Sequence, residues 1–401
     1  MENKENKEIS TPCYVFDYLQ FKKNMDLFKK SLDKYFKGKN ILSYSFKTNS
    51  LPYILSCVRE SNNYAEVVSA EEYNLAIKVG FDEKKIVYNG PIKTKDSFLY
   101  AVERGSIVNI DSQREVQWLR DLDKNKKYKI GLRVNFDLEE KLPGQTMMGE
   151  LGGRFGFCDD NGELMNVINS IRNIKNVDIS VLHMHVSSKS KSIEVYNELV
   201  KRACEIARKY NLSLEYIDIG GGFFGGGDDG SQYEAYVSQI YETMQEQGMK
   251  DIGLIVEPGA SLIATCVDYY LTVLDIKKTT KGYFAVTDGS RLHLDPFFKK
   301  NNYKYFVNKI NDNFETEICI KQVVCGFTCM ENDRILTLEN SQKLNEGDVI
   351  KFELAGSYTM SYNNLFIRYL PRVYVYNGKK YIEIRGEWSI NEIMQLNTWR
   401  K

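Results

Sequence analysis

The sequence predicts an α/β chain: a (β/α)8 TIM-type barrel followed by an all-β C-terminal domain. Three observations predict it. Between about Tyr18 and Gly259, eight apolar, strand-like runs alternate with amphipathic helical segments, and that alternation means parallel crossovers in the number that closes a barrel. After Gly259 the helical periodicity fades into β-branched and aromatic runs separated by turn signals. Polar residues and glycines also gather where the first eight runs end, the side on which such a barrel carries its chemistry.

The elements follow in order. Pro12–Phe16 reads as a strand that could join the C-terminal sheet, and a helix is expected over about Leu19–Tyr35. The eight barrel strands are expected at Ile41–Phe46, Tyr64–Val68, Lys85–Tyr88, Ser106–Ile110, Lys129–Val134, Ile179–His185, Leu214–Ile219 and Gly253–Val256. Ser69 before an apolar-periodic stretch, with Glu72 three residues on, marks a capped helix start. Further helices are expected at Ile193–Tyr210 and Tyr233–Gln247. Later strands are expected at Val267–Ile276, Tyr283–Asp288, Ile318–Val324, Val349–Glu353, Arg372–Tyr376 and Lys380–Arg385, with Asn377-Gly378 and Glu346-Gly347-Asp348 as turns. The expected domains are a barrel over 18–260 and a β-sandwich or Greek-key-like domain over 261–401, joined by the N-terminal strand 11–17.

Composition narrows the function. With 401 residues and 43% hydrophobic content, the chain can bury a substantial core. The balanced charge, net zero, argues against an electrostatically bound nucleic acid. Eight cysteines are scattered without a C-x-x-C pair or histidines at metal spacing, so free thiols in the cytoplasm, and no metal, are expected. Met1–Ser10 is polar and no apolar run reaches membrane-spanning length, so neither a signal peptide nor a membrane partner is expected.

The strand ends carry the chemistry. Gly220-Gly221-Gly222 places backbone amides around a concavity that no side chain blocks, as a phosphate requires. Lys47 is either a lysine snorkelling out of a strand end or, in a desolvated mouth, an amine able to form a Schiff base. Glu257 is either a structural carboxylate or the group that keeps a pyridine nitrogen protonated. His185 is either a satisfied core histidine or a ring that stacks on a flat cofactor, and His183, two residues earlier, shares its face. Glu66, Asn89 and Arg133 end three more strands. Together the set suggests one organic phosphate cofactor.

From Thr11-Pro12-Cys13-Tyr14-Val15-Phe16-Asp17 to Gly356-Ser357-Tyr358, this ordered series resembles the fold-type III pyridoxal-phosphate decarboxylases, the group of the diaminopimelate, ornithine and arginine enzymes. The resemblance implies an alanine racemase-like architecture and pyridoxal 5'-phosphate as cofactor. It implies that Lys47 forms the Schiff base, that His185 stacks on the ring and that Glu257 bonds the ring nitrogen. Gly220, Gly221, Gly222, the Glu257-Pro258-Gly259 turn and Tyr358 would hold the phosphate. Ser188 joins the cofactor set, and Glu66 and Arg133 would form a supporting ion pair near the ring. Cys329 matches an active-site cysteine contributed by the second subunit, which implies a homodimer with shared sites.

Three departures bear on the substrate. Ala260 stands where an arginine often follows Glu-Pro-Gly, Asp295 stands where diaminopimelate enzymes carry an arginine before proline, and Met330 follows the cysteine with Glu331 one further on. Lys299 and Lys300 fall where ornithine enzymes carry an aspartate. Arg291, Lys299 and Lys300 are candidates for an anionic or carbonyl tail, and Asp295 for an amine. The expected function is decarboxylation of an amino acid, a diamino acid or a conjugated one, through an external aldimine. An amino-acid racemase on the same fold and a non-catalytic cofactor-binding protein are the alternatives.

Overall fold

A computed structural model describes residues 9–310, 317–362 and 365–400, so most of the polar N-terminal segment lies outside them. The chain forms two compact units, Lys22–Leu262 and a second made of the segment up to Phe21 with Ile263–Lys401.

The first unit is the expected barrel. Its parallel strands run in the order Ile107–Ile110, Ile86–Tyr88, Tyr64–Val67, Asn40–Ser45, Gly253–Val256, Tyr216–Asp218, Val177–His183 and Tyr128–Asn135, and the last pairs back with the first. Helices Pro52–Glu60, Ala70–Val79, Lys95–Arg104, Glu163–Arg172, Ile193–Lys209 and Ser231–Glu246 supply crossovers. Ser69 caps its helix by accepting from the Glu72 amide at 3.2 Å, while the Glu72 carboxylate reaches back to the Val68 amide at 2.9 Å. The capping box is thus displaced by one residue from the expected closure. A short strand, Phe157–Cys158, extends the sheet beside Val134 and Asn135.

One apolar layer plugs the barrel. Ile41, Val87, Val181 and Ile255 form a buried cluster against which Tyr64, Ile107 and Tyr216 pack. Side chains two residues apart on a strand share a face. Two residues further along, the same inward face therefore carries Ser43, Glu66, Asn89, Asn109, His183, Asp218 and Glu257, all buried. A polar layer sits directly on the apolar one at the C-terminal ends of the strands.

In the second unit a mixed sheet runs in the order Arg334–Gln342, Ile318–Cys325, Gly282–Thr287, Val267–Thr279, Cys13–Asp17, Arg372–Tyr376 and Tyr381–Arg385. The N-terminal strand pairs antiparallel with Val267–Tyr270 and parallel with Arg372–Tyr376. Val349–Phe352 pairs with Val267–Thr279 and with Tyr305–Asn308. Two strands escape sequence reading: Tyr305–Asn308 is short and mostly exposed, and Arg334–Gln342 becomes polar in its second half. Among the described residues, no helix is long and apolar enough to cross a membrane.

Candidate active site

The barrel's polar layer forms one connected network. Lys47 lies in a short 3-10 turn, Phe46–Thr48, just past the strand Asn40–Ser45. Its half-exposed ammonium meets the fully buried Glu66 at 2.8 and 3.1 Å. Ser45 Oγ also donates to Glu66 at 2.5 Å, and Asn89 Nδ2 donates to it at 3.1 Å. Burial would raise the Glu66 carboxyl, but the Lys47 charge and these hydrogen bonds outweigh it and hold the group below its ordinary value.

Glu257 ends a strand two away from that of Glu66. It accepts from Asn89 Nδ2 at 2.6 Å, and its other oxygen lies 3.6 Å from His183 Nε2. Polar atoms of His183, Asp218 and Glu257 converge within 4.8 Å. Burial and the neighbouring Asp218 and Glu66 raise the Glu257 carboxyl well above its usual range. Asp218 is raised to about 7, chiefly by burial. Burial, with the charge of Arg133, lowers His183 and brings His185 to about 3, so both imidazoles are neutral near pH 7.

His185 stacks parallel to His183 at 6.3 Å. Gly220 makes room for it, because a Cβ there would lie 2.3 Å from His185 Nδ1 and the backbone has φ +69°. A Cβ on Gly221 would lie 2.3 Å from the Glu257 carbonyl oxygen, and one on Gly259 would lie 2.0 Å from Thr48 Oγ1. The Gly220 amide is used, donating to Asp218 at 2.9 Å. The sequence reading assigned all three glycines alike to a phosphate; in the structure the free amides of the turn begin at Gly221.

The expected Glu66–Arg133 ion pair is not formed. Glu66 pairs with Lys47, whereas the Arg133 guanidinium lies 3.9 Å from Asp111 and over the Phe155 ring at 4.5 Å. Asp111, which closes the strand Ile107–Ile110, competes for that cation from the adjacent strand. Ser188 faces the 145–146 loop, donating to the Gln145 carbonyl at 3.3 Å. A cavity of about 240 Å³ opens beside His185 and Arg133, lined also by Met147, Met148, Arg154 and Phe155.

The remaining expected residues lie in the second unit. Tyr358 is half-exposed in the left-handed region, φ +62°. Cys329 is exposed in the loop that follows Ile318–Cys325. Asp295 is buried, and its carboxylate accepts from Arg291 Nη2 at 2.9 Å and from the amides of Lys299 and Lys300 at 3.0 and 2.8 Å. Arg291, Asp295, Lys299 and Lys300 thus form one self-bonded loop, and Glu331 pairs with Arg334 at 3.0 Å.

Sequence reading gave no role to Asp218, which opens the glycine stretch, and did not single out Asn109 or the fully buried pair of Lys93 and Glu115, 3.3 Å apart. Asn109 and Asp218 carried a signal, since each stands two positions after an apolar inward residue, whereas Lys93 lies in the loop after Ile86–Tyr88 and Glu115 in the helix Gln113–Trp118.

The barrel mouth thus offers an amine, two unclaimed glycine amides, a flat neutral ring and a buried carboxylate. The imidazole nitrogens of His183 and Nδ1 of His185 are buried without hydrogen-bond partners. An anionic, flat, nitrogen-containing cofactor fits this donor set. Residues 19–264 match the family described as "Pyridoxal-dependent decarboxylase, pyridoxal binding domain". The chain belongs to that family. It is a pyridoxal-phosphate-dependent amino-acid decarboxylase, and the racemase alternative falls.

The relatives agree. A probable chloroplastic diaminopimelate decarboxylase of Oryza sativa subsp. japonica is 26% identical over 96% of this chain and 79% of its own length. A 2-[(L-alanin-3-ylcarbamoyl)methyl]-2-hydroxybutanedioate decarboxylase of Staphylococcus aureus is 28% identical over 79% of this chain and 82% of its own. In fold, the crystal structure of diaminopimelate decarboxylase from M. jannaschii superimposes with a TM-score of 0.85 at 22% identity, covering 98% of this chain and 93% of the other.

Proposed function

We propose that this decarboxylase acts on an amino acid whose tail differs from that of diaminopimelate, with an amide-conjugated diamino acid as the leading class. The observation that carries this is the loss of two cations. Ala260 offers no charge, and the Asp295 carboxylate is already committed to Arg291 and two loop amides. A distal carboxylate buried without a cation costs several kcal/mol. The cavity beside His185 gives a tail about 240 Å³, with methionine and phenylalanine surface and the Arg154 guanidinium at hand. The Staphylococcus aureus relative, by name, acts on such a conjugate.

In this reading Lys47 carries the cofactor covalently and Glu66 fixes the position of its Nζ. Gly221, Gly222, Gly259 and Tyr358 take the phosphate, with Gly220 giving the turn its shape. His185 packs on the ring as a neutral imidazole, Arg133 and Ser188 line the site, and Glu257 holds a proton at the ring nitrogen. When bound, pyridoxal phosphate supplies the electron sink that lets CO₂ leave. Cys329 Sγ or Lys47 Nζ returns a proton to the α-carbon. Cys329 serves across a two-fold homodimer, and cysteines held as thiols rather than disulfides support a cytoplasmic setting.

The test compares kcat/KM for CO₂ release from diaminopimelate, lysine, ornithine and an amide-conjugated diamino acid. The conjugate should be preferred. Turnover of diaminopimelate near 10⁴ M⁻¹s⁻¹, an enzyme norm at order of magnitude, would overturn the reading.

A further inference from the structure

Asn89 is the hub of the polar layer. It is 2% exposed, and its backbone amide is anchored to the Val67 carbonyl at 2.8 Å. Its side-chain NH₂ donates to two carboxylates at once, Glu66 Oε1 at 3.1 Å and Glu257 Oε1 at 2.6 Å. Its Oδ1 accepts from Asn109 Nδ2 at 2.8 Å, and the same Asn109 nitrogen donates to Asp218 at 3.1 Å. The amide can sit only this way round, since reversal would set its oxygen against two carboxylate oxygens. Asn109 in turn fits because residue 131 is glycine; a Cβ there would lie 1.8 Å from Asn109 Oδ1.

Glu66 and Glu257 belong to strands two apart in the barrel, Tyr64–Val67 and Gly253–Val256, with Asn40–Ser45 between them. Both are buried, both are acids, and they repel. One side chain supplies a donor to each.

We propose that Asn89 is a positioning residue that locks the lysine-side carboxylate, Glu66, and the ring-side carboxylate, Glu257, into one geometry. It touches neither substrate nor reacting atoms and acts through the two glutamates. The inference rests on the roles proposed above for Lys47, Glu66 and Glu257. The hydrogen bonds from Asn89 favour the ionised form of both carboxyls, opposing their burial. Removing them takes away the donor that Glu257 Oε1 has and leaves Glu66 Oε1 with Lys47 alone.

The experiment measures the pyridoxal-phosphate dissociation constant of the full-length protein against pH for wild type, Asn89→Leu and Asn89→Asp. Leu keeps the volume and removes both donors. Its affinity should fall at least tenfold, and the acidic limb of its pH profile should move up by about one unit as Glu257 protonates more readily. Asp keeps the shape but adds a carboxyl that must hold a proton to donate. Its affinity should therefore fall as pH rises through neutrality, where wild type shows no such loss. If Leu fails to fold, Asp decides. Wild-type affinity and profile in the variants, or a loss of affinity with an unshifted profile as a mere packing defect would give, overturns the proposal. Borohydride reduction and peptide mapping on each protein separates the two levels. An adduct away from Lys47 in wild type sinks the site reading itself, whereas an adduct on Lys47 with an unshifted variant profile sinks only the role of Asn89.

Discussion

At the scale of single residues, the jobs proposed for Lys47 and Glu257 go with opposite burial. Lys47 is 43% exposed on its side chain, open to a ligand, while Glu257 is 4% exposed and sealed among acids. Lys47→Ala should abolish the long-wavelength absorbance of bound cofactor and nearly all CO₂ release, and a borohydride-reduced adduct in wild type should map to Lys47 alone. Glu257→Gln should retain cofactor but lower kcat by roughly 10²-fold, the scale of one preorganised electrostatic contact; full activity would leave Glu257 a structural cap. Asp218 makes a pH prediction for the cofactor-free protein. Its folded value of about 7 lies above that of an exposed aspartate, so the folded state binds the extra proton. That contribution is full below the unfolded value and is lost as pH rises toward 7. In urea unfolding, Asp218→Asn should therefore show a weaker decline in stability between acid and neutral pH than wild type does. An equal decline in both proteins would place the proton elsewhere.

At the scale of elements, the Cys329 loop depends on one acid and one glycine. Asp333, 2% exposed, gathers the Cys329 loop: it accepts from Ser290 Oγ at 3.1 Å, the Arg291 amide at 2.8 Å and Thr328 Oγ1 at 2.7 Å. Gly326 lets it in, since a Cβ there would lie 2.2 Å from its carboxylate. Asp333→Ala should cost about 1–3 kcal/mol, the price of stranded buried donors, read as a lower urea midpoint with an unchanged slope. Asp333 did not announce itself in the sequence, because Ser290 and Arg291, which it ties to its own loop, lie 43 and 42 residues away. What was legible was periodic or local. Eight strand-like runs fixed the barrel, and the residues at their ends, Lys47, Glu66, His185 and Glu257, follow from where each run stops. Arg133 meets Asp111 because its strand pairs with Ile107–Ile110, whereas Tyr64–Val67, which carries Glu66, is not adjacent to it.

At the scale of the whole molecule, the proposed roles divide between the two units, and that division gives the dimer a decisive test. Lys47 belongs to the barrel unit and Cys329 to the unit formed by the chain's two ends. If a site takes its lysine from one subunit and its cysteine from the other, each site of a two-fold dimer fails when either residue is lost. A heterodimer of Lys47→Ala and Cys329→Ala chains then has one site damaged twice and one site intact. Random exchange places about half of the chains in heterodimers, so the mixture should recover about a quarter of wild-type activity from two inactive parents. Were both residues drawn from the same subunit, every site in the mixture would still lack one of them and activity would stay at the parental level. Subunit exchange is verified independently with differently tagged protomers, so a silent mixture that has exchanged counts against the shared site.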